Sequence, residues 1–300
     1  MSEPLGDPER DAVISVDHLG RHFGEIVAVD DVNFKVERAA IFGLLGPNGS
    51  GKSTIIRMLL GILPPSSGSA TVLGFDSQAD AERIKRRVGY MSQQFSLYSD
   101  LTVRENIDFY GRIYGLSTDR LEERRREVLA LTGIGDRIDQ LAGTLSGGWK
   151  QRLALACSLI HDPEILFLDE PTIGLDVVAQ HNIQSFLRHY QQLRQMTVLL
   201  TSHYMKDVAA LCRRVVIIAH GQIMYDGSLS GIIDRFSGHK VLTLLFADEN
   251  GVPGWADRRA RPAVQRGQRV RAARGPRQGA RGARQVPAVC AGGGAGRAAR

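Results

Sequence analysis

The sequence lacks the long apolar runs and the cysteine patterns that would place a chain in a membrane or in an oxidising compartment. Among 300 residues, no apolar stretch approaches the roughly 18 residues that span a bilayer. The three cysteines, Cys157, Cys212 and Cys290, match no zinc spacing and no disulfide framework. The first residues show no basic segment followed by an apolar one, so we expect no secretory signal. A hydrophobic content of 43% is sufficient for a globular core.

Charge is distributed unevenly along the chain. The formal net charge is +6, but residues 251–300 hold twelve arginines and one aspartate, so this tail carries +11 and the preceding 250 residues carry −5. The folded part is therefore mildly acidic, and we expect no specific nucleic-acid partner for it. The tail is dominated by Arg, Gly and Ala and is predicted to be disordered or non-native. An arm for RNA or anionic lipid is the alternative.

Short apolar runs alternate with helical patterns through the first 240 residues, which favours an α/β fold with helices packed on a sheet. Strands are predicted at 13–16, 32–36, 41–45, 165–168, 198–201 and 215–219. Helices are predicted at 52–60, 117–131 and 146–160, and another should begin at the capping box formed by Thr102 and Glu105. A tight turn at 220–222 should lead into a strand at 223–225. Residues 241–246 resemble a strand whose pairing partners never arrive.

Residues 46–54 match G-x-x-x-x-G-K-[ST], the pattern of a phosphate-binding loop. Glycines let backbone N–H groups turn around phosphate oxygens, and the following helix directs its positive end at the same anion. Lys52 would add a charge at the β- and γ-phosphates, and the Ser53 hydroxyl can ligate Mg²⁺. The motif follows an apolar strand and opens a helix, as it must. The residues assigned to ATP here are Gly46, Pro47, Asn48, Gly49, Ser50, Gly51, Lys52, Ser53 and Thr54.

A second cluster follows an apolar run, where Asp169 and Glu170 end the segment that begins at Ile165. Consecutive strand residues point to opposite faces, so the two carboxylates should have separate roles. Asp169 can hold Mg²⁺, and Glu170 can polarise the water that attacks the γ-phosphate. Alone, the pair is equally well explained as a solvated strand end. Its position about 115 residues after the phosphate loop favours the catalytic interpretation.

Residues 145–149, Leu-Ser-Gly-Gly-Trp, resemble the LSGGQ signature motif of the ABC ATPases, with Trp149 where glutamine is usual. Other elements of the family occur in the expected order along the chain. Gln93 resembles the Q-loop glutamine, Asp176 the D-loop aspartate and His203 the switch histidine. Phe23 occupies the place of an aromatic that stacks on adenine, with core packing as its alternative role.

The resemblance covers about residues 12–235 and implies a P-loop NTPase core. It implies a mixed sheet flanked by helices, an N-terminal antiparallel β-subdomain and an inserted α-helical signature subdomain. We expect an ATP-binding domain at 12–235, the start of a C-terminal extension at 236–250, and the tail at 251–300. One departure is Arg38-Ala39-Ala40, where relatives generally carry Gly-Glu. An alanine in place of a turn glycine costs about 1 kcal/mol if its φ is positive.

The same resemblance implies the cofactors ATP and Mg²⁺ and a mechanism. Two ATP-binding subunits, identical or paralogous, would close head-to-tail on two ATP molecules. Each site would join one subunit's phosphate loop and catalytic residues to the other's signature. The catalytic residues would be Lys52, Glu170 and His203; the metal-binding residues would be Ser53, Gln93 and Asp169; the further nucleotide-binding residues would be Phe23, Gln93, Ser146, Gly147, Gly148 and Asp176.

Several stretches, including the one from Ile41 through the phosphate loop, resemble bacterial ATPases that serve ABC-2-type drug and lipid exporters. This implies a separate transmembrane permease and a location at the cytoplasmic face of the inner membrane. A translation factor of the ABC-F kind would carry two cassettes, and a chromosome ATPase would insert a long coiled coil between the loop and the signature. A soluble ABC ATPase, for example one of cluster assembly, remains the alternative.

Overall fold

The computed structural model describes residues 12–93, 96–236, 241–246 and 269–274. It separates into two units, Met1–Ser230 and Gly231–Arg300. Within the described residues, none of the helices is both long enough and apolar enough to cross a bilayer.

An antiparallel sheet forms the N-terminal part of the first unit. Its strands are β1 (Ala12–Phe23), β2 (Ile26–Glu37), β4 (Ser67–Val72) and β5 (Phe75–Asp76), in the order β2-β1-β4-β5. The predicted strands at 13–16 and 32–36 are the regular portions of β1 and β2. Both strands run further because the ladder continues through register shifts, one of them beside His18, which has φ +47°. Such irregularities break the alternation of apolar residues on which the prediction relied.

A six-stranded mixed sheet carries the centre of the unit. Its order is β10-β9-β3-β8-β7-β6, parallel throughout except for the β9–β10 pair. The strands are β3 (Ile41–Leu45), β6 (Val88–Met91), β7 (Ile165–Asp169), β8 (Thr197–Ser202), β9 (Arg214–Ala219) and β10 (Gln222–Ser228). Strands β7 and β8 are buried at every residue, as expected for parallel strands covered on both faces.

Helices accompany this sheet, and one apolar core joins it to the antiparallel sheet. The helices are α1 (Lys52–Leu59), α2 (Ala81–Lys85), α6 (Val177–Arg194) and α7 (Met205–Leu211). Side chains of α1 such as Ile55 and Met58 are fully buried in the same cluster as Val36 of β2 and Phe167 of β7. Helix α1, which begins inside the phosphate loop, is therefore fixed between the two sheets.

Three helices between β6 and β7 form the predicted helical insertion: α3 (Val103–Ile113), α4 (Thr118–Thr132) and α5 (Gly147–Leu159). Helix α3 begins at the expected capping box, in which Thr102 and Glu105 bond each other's backbone N–H groups. Arg124 of α4 is fully buried and donates to the carbonyl oxygens of Leu159 (2.8 Å) and Ile160 (3.2 Å). It therefore caps the C-terminal end of α5 with a positive charge, which the helix dipole favours.

His161 links this insertion to the central sheet. Its ring stacks on Tyr114 with 3.6 Å between ring centroids, and its Nε2 atom lies 3.0 Å from the carbonyl oxygen of Val88 in β6. Burial lowers the pKa of His161 to about 4, so at neutral pH the ring is uncharged and Nε2–H donates to Val88. The contact anchors the insertion beside the strand that leads to Gln93.

The second unit contains a two-stranded parallel sheet, which corrects one expectation. Residues Val241–Phe246 form β11, as predicted, but this strand has a partner: it pairs in parallel with β12 (Arg269–Arg274). The partner was missed because three arginines and two alanines leave Val270 as the only strand-favouring residue of the segment. The predicted disorder of the remainder of the tail falls outside the described residues. Helix α8 (Leu229–Phe236) precedes these strands.

The architecture confirms the predicted fold class: an α/β core with a mixed sheet, an antiparallel β-subdomain and a helical insertion that contains the signature. The expected turn cost also has a structural basis, because Ala39 has φ +55°. Its N–H donates to Thr197 Oγ1 (2.9 Å) and its carbonyl accepts from Gln191 (2.5 Å), which hold it in this conformation.

Replacing Ala39 by glycine should therefore stabilise the protein by about 0.5–1 kcal/mol, since glycine adopts positive φ without a steric penalty. The measurement is the urea midpoint of unfolding. Ala40→Gly is the matched control, because Ala40 lies outside the left-handed region and the change should only lower the midpoint. Equal shifts of the unfolding midpoint in the two variants would contradict the assignment of backbone strain to Ala39.

Candidate functional site

Three loops meet at one edge of the central sheet because β3, β7 and β8 are parallel neighbours. The register pairs Leu45 with Ser202 and Asp169 with Thr201. The Gly46 N–H group also donates to the carbonyl of Ser202 (3.2 Å). The phosphate loop, the carboxylate pair and His203 therefore lie together, as expected where the carboxyl ends of parallel strands form a crevice.

The phosphate loop wraps its own backbone around the Lys52 ammonium group. Lys52 is buried, and its Nζ atom donates to the carbonyl oxygens of Gly46 (2.8 Å) and Pro47 (3.0 Å). Gly51 has φ +103°, and a Cβ atom there would lie 2.5 Å from the carbonyl oxygen of Ala28. Glycine is required at this position because both the backbone conformation and the space exclude a side chain.

The donor set of this loop fits a triphosphate. Among the described residues no side chain caps α1, whose first N–H groups have no carbonyl partner within the helix. The buried Ser50 hydroxyl likewise has no hydrogen-bond partner in the described structure. These donors, together with the Lys52 charge, form an anion-binding cradle.

The two adjacent carboxylates are both buried and have different partners. Asp169 accepts a hydrogen bond from Thr201 Oγ1 (2.7 Å). Glu170 has φ +54°, which turns its side chain towards Lys52 Nζ (3.5 Å from Oε1) and His203 Nδ1 (2.7 Å from Oε2). A non-glycine residue held in this region at a site stores backbone strain of about 1 kcal/mol or more. This backbone conformation turns the chain out of the strand direction at Glu170, directly after the end of β7.

The Thr201 hydroxyl connects the Asp169 carboxylate to the Glu170 backbone. It donates to Asp169 and accepts from the Glu170 N–H group (2.9 Å), and the residue is fully buried. Sequence reasoning missed this residue. The available signal was a polar residue two positions before His203, directly after the apolar residues 198–200 of β8.

A second residue that the sequence did not single out is Asp207 of α7. Its buried carboxylate accepts from Thr172 (2.6 Å), Ser202 (3.2 Å) and Gln184 (3.1 Å). It therefore ties the turn after Glu170 to the end of β8, just before His203. Nothing in the local pattern of a short helix would have identified it.

Among the described residues, no hydrogen bond or ion pair joins Phe23, Gln93 or Asp176 to Lys52, Glu170 or His203. Phe23 is 45% exposed at the end of β1, with the Arg21 guanidinium 4.7 Å from its ring centre. Gln93 is exposed after β6. The side chain of Asp176 caps α6 by accepting from the Ala179 N–H group (2.9 Å).

The signature residues also stand apart. Ser146 and Gly147 are exposed at the start of α5, and Gly148 packs near Leu175 and Ala179. In the described part of the chain, no hydrogen bond or ion pair joins Ser146–Gly148 to Lys52, Glu170 or His203. One contact does link α5 to the turn after Glu170: the buried Gln151 amide donates to the carbonyl oxygen of Pro171.

Comparison with known proteins gives a consistent picture. The family model described as ABC transporter matches residues 29–173. The chain is 40% identical to Nod factor export ATP-binding protein I of Sinorhizobium fredii over 240 residues, covering 80% of this chain and 70% of that protein. It is 41% identical to the probable multidrug ABC transporter ATP-binding protein YbhF of Escherichia coli, covering 73% of this chain and 37% of that longer protein. It is 35% identical to the linearmycin resistance ATP-binding protein LnrL of Bacillus subtilis, covering 79% and 76%.

Comparison with solved structures gives neighbours of the same fold. The chain is similar to cbiO1 from Clostridium perfringens, part of an ABC transporter complex, with a TM-score of 0.69, 28% identity, and coverage of 75% of this chain and 92% of that one. A dimeric structure of the bacterial ABC transporter cassette MJ0796 aligns with a TM-score of 0.67 at 24% identity, covering 72% and 98%, and supports the fold.

The hydroxyl bridge between Asp169 and the Glu170 backbone can be tested with Thr201→Val, which keeps the shape and removes the hydroxyl. We expect ATP turnover to fall about tenfold or more, because the Asp169 carboxylate loses a donor and the buried Glu170 N–H group loses its acceptor, at about 1–3 kcal/mol for each buried hydrogen bond. Thr197→Val is the matched control. Thr197 is a buried threonine on the same strand, and its hydroxyl accepts a hydrogen bond from the Ala39 N–H group. The Thr197 variant should lower stability and leave kcat unchanged; equal losses of kcat would contradict the bridge.

Proposed function

The chain belongs to the family of ABC transporter ATP-binding proteins, and on that basis we propose that it drives export through a separate permease. Members of the family bind and hydrolyse ATP to power transport, work with transmembrane subunits and associate peripherally with the membrane. Two of the relatives described above are named as export or multidrug transporter proteins. These names favour transport over a soluble assembly role, and the ABC-2 exporter type is the finer proposal.

The observation that carries the catalytic proposal is the position of Glu170, which is buried between Lys52 and His203. Glu170 serves as the general base. It takes a proton from a water molecule as the water oxygen bonds to the γ-phosphorus, while the bond from that phosphorus to the bridging oxygen breaks and ADP leaves. His203 holds the Glu170 carboxylate in place through its Nδ1 atom.

Lys52 supplies positive charge to the phosphates, and the backbone N–H groups of residues 46–54 surround them. Ser53, Gln93 and Asp169 would hold Mg²⁺, which neutralises phosphate charge when bound. Phe23 would stack on the adenine; its exposed ring is available for this. The Thr201 hydroxyl holds the Asp169 carboxylate, whereas the Glu170 carboxylate contacts Lys52 and His203, so the two carboxylates serve different tasks.

The second half of each site comes from another cassette. Ser146 and Gly147 are exposed at the start of α5, and among the described residues no hydrogen bond or ion pair joins the signature to Lys52 or Glu170 of its own chain. In this proposal a γ-phosphate bound at Lys52 would therefore meet the signature of a second subunit. Asp176, exposed beside that helix, belongs to the same interface. ATP therefore stabilises the closed pair through its higher affinity for that state.

Changing Glu170 to Gln should leave ATP affinity intact and abolish turnover, so that an ATP-bound dimer accumulates. Sedimentation with and without ATP measures the dimer, and phosphate release measures turnover. The control is Glu164→Gln, which should keep full turnover. Glu164 lies one residue before β7, and its carboxylate pairs with Arg87 at 2.6 Å. Unchanged hydrolysis by the Glu170 variant would refute its role as base.

Changing Lys52 to Ala should weaken ATP binding about tenfold or more, since a charge-assisted contact with the phosphates is lost. Titration with a fluorescent ATP analogue measures this, with Lys85→Ala as control because Lys85 lies on α2 and pairs with Glu82. Full retention of affinity would count against the cradle.

The export proposal predicts that the chain binds membranes only with its permease. We expect the gene to lie beside one for a polytopic membrane protein, and co-expression with that protein should move the full chain into the membrane fraction and make ATP turnover depend on that partner. A neighbourhood of cluster-assembly genes, or a chain that stays soluble with its neighbour present, would contradict it.

A further inference from the structure

We propose that Trp149 is a positioning residue that holds the signature turn in the shape that binds the second subunit's nucleotide; this inference rests on the proposed function. Trp149 stands in the first turn of α5, three residues after Ser146, which caps the helix with its backbone. Two guanidinium groups lie over its ring: Arg137 at 4.5 Å and Arg152 at 4.8 Å from the ring centre.

Each arginine connects the indole to a different neighbouring segment. Arg152, one turn further along α5, donates to the carbonyl oxygen of Thr132 (3.0 Å), the last residue of α4. Arg137 lies in a short 3₁₀ turn, Gly135–Arg137, and donates to Gln140 Oε1 (2.9 Å). The indole thus joins three segments of the helical insertion at the start of α5.

Further contacts reach the signature from its N-terminal side. The Gln140 amide donates to Thr144 Oγ1 (3.0 Å), and Thr144 Oγ1 donates to the carbonyl oxygen of Leu141 (2.8 Å). Thr144 precedes Ser146 by two residues and Trp149 follows it by three. The signature brace, defined as Arg137, Gln140, Thr144, Trp149 and Arg152, therefore encloses the turn on both sides.

This arrangement has a consequence for binding. The side chain of Ser146 makes no capping bond among the described residues, and Ser146 and Gly147 are exposed. The turn is thus fixed by the residues around it rather than by its own side chains. When the signature turn is already ordered before the nucleotide binds, dimer formation does not lose the free energy needed to order it. The brace should therefore affect dimer formation and turnover, but not ATP binding to a single chain.

The central test uses the full chain in the Glu170→Gln background, with ATP-dependent dimerisation measured by sedimentation. Adding Trp149→Leu, which removes the aromatic ring without creating the glutamine that is usual in the family, should weaken the dimer about tenfold. This is the size expected for the loss of two partly exposed cation–π contacts, and the affinity of the monomer for a fluorescent ATP analogue should stay unchanged. Trp149→Phe retains an aromatic ring and should restore most of the dimerisation. In the chain with Glu170 intact, Trp149→Leu should lower kcat and leave monomer ATP affinity unaltered.

Arg137→Gln tests the brace without removing the indole and should weaken dimerisation in the same direction. Its matched control is Arg83→Gln, which removes a guanidinium group 4.2 Å from the Phe75 ring centre, outside the helical insertion. Trp255 is the second of two tryptophans, so Trp255→Phe leaves Trp149 as the sole emitter. Arg137→Gln should then change its emission spectrum, whereas Arg83→Gln should not.

The outcomes separate this inference from the proposed function. If the Glu170 variant with intact Trp149 does not dimerise on ATP, the proposed function fails. If it dimerises and neither Trp149→Leu nor Arg137→Gln weakens the dimer, or if Arg83→Gln weakens it equally, the brace is overturned. A Trp149 emission spectrum that does not change in the Arg137→Gln variant also overturns it. If Trp149→Leu does not fold, the Arg137→Gln and Trp149→Phe variants decide.

Discussion

The parallel pairing of β3, β8 and β7 is the constraint on which the site depends. Each strand ends at the same edge of the sheet, and the pairs Leu45–Ser202 and Asp169–Thr201 set the three loops level with one another. A shift of one residue in either pair would reverse the faces of a fully buried strand. The apolar composition of β7 and β8 therefore protects the geometry of the polar groups that follow them.

The polar groups at this edge satisfy one another within a buried environment. Thr201 bonds the Asp169 carboxylate and the Glu170 N–H group, Lys52 and His203 both contact the Glu170 carboxylate, and Asp207 secures the flanking turns. A buried charge without a partner is costly, so each group depends on its neighbours. The positive φ of Glu170 belongs to the same arrangement, because in this conformation the side chain meets Lys52 and His203.

The sequence predicted the features that depend on local chemistry. The phosphate loop, the capping box at Thr102 and the buried strands were each carried by a short pattern, and even the strained turn at Ala39 could be anticipated from a missing glycine. Partners distant in the sequence could not be predicted. Thr201 and Asp207 gain their importance from contacts 31 to 35 residues away, and the pairing of β11 with an arginine-rich strand opposes its propensity.

The bond from Gln151 to the carbonyl of Pro171 couples the N-terminal half of α5 to the turn that follows Glu170. Gln151 lies five residues after Ser146, about 7.5 Å along the helix axis at 1.5 Å per residue. A short stretch of regular helix is stiff, so a displacement of the first turn of α5 would reach that turn as well. In the proposed pair of cassettes, α5 would therefore connect the nucleotide that its first turn contacts with Glu170 of its own chain.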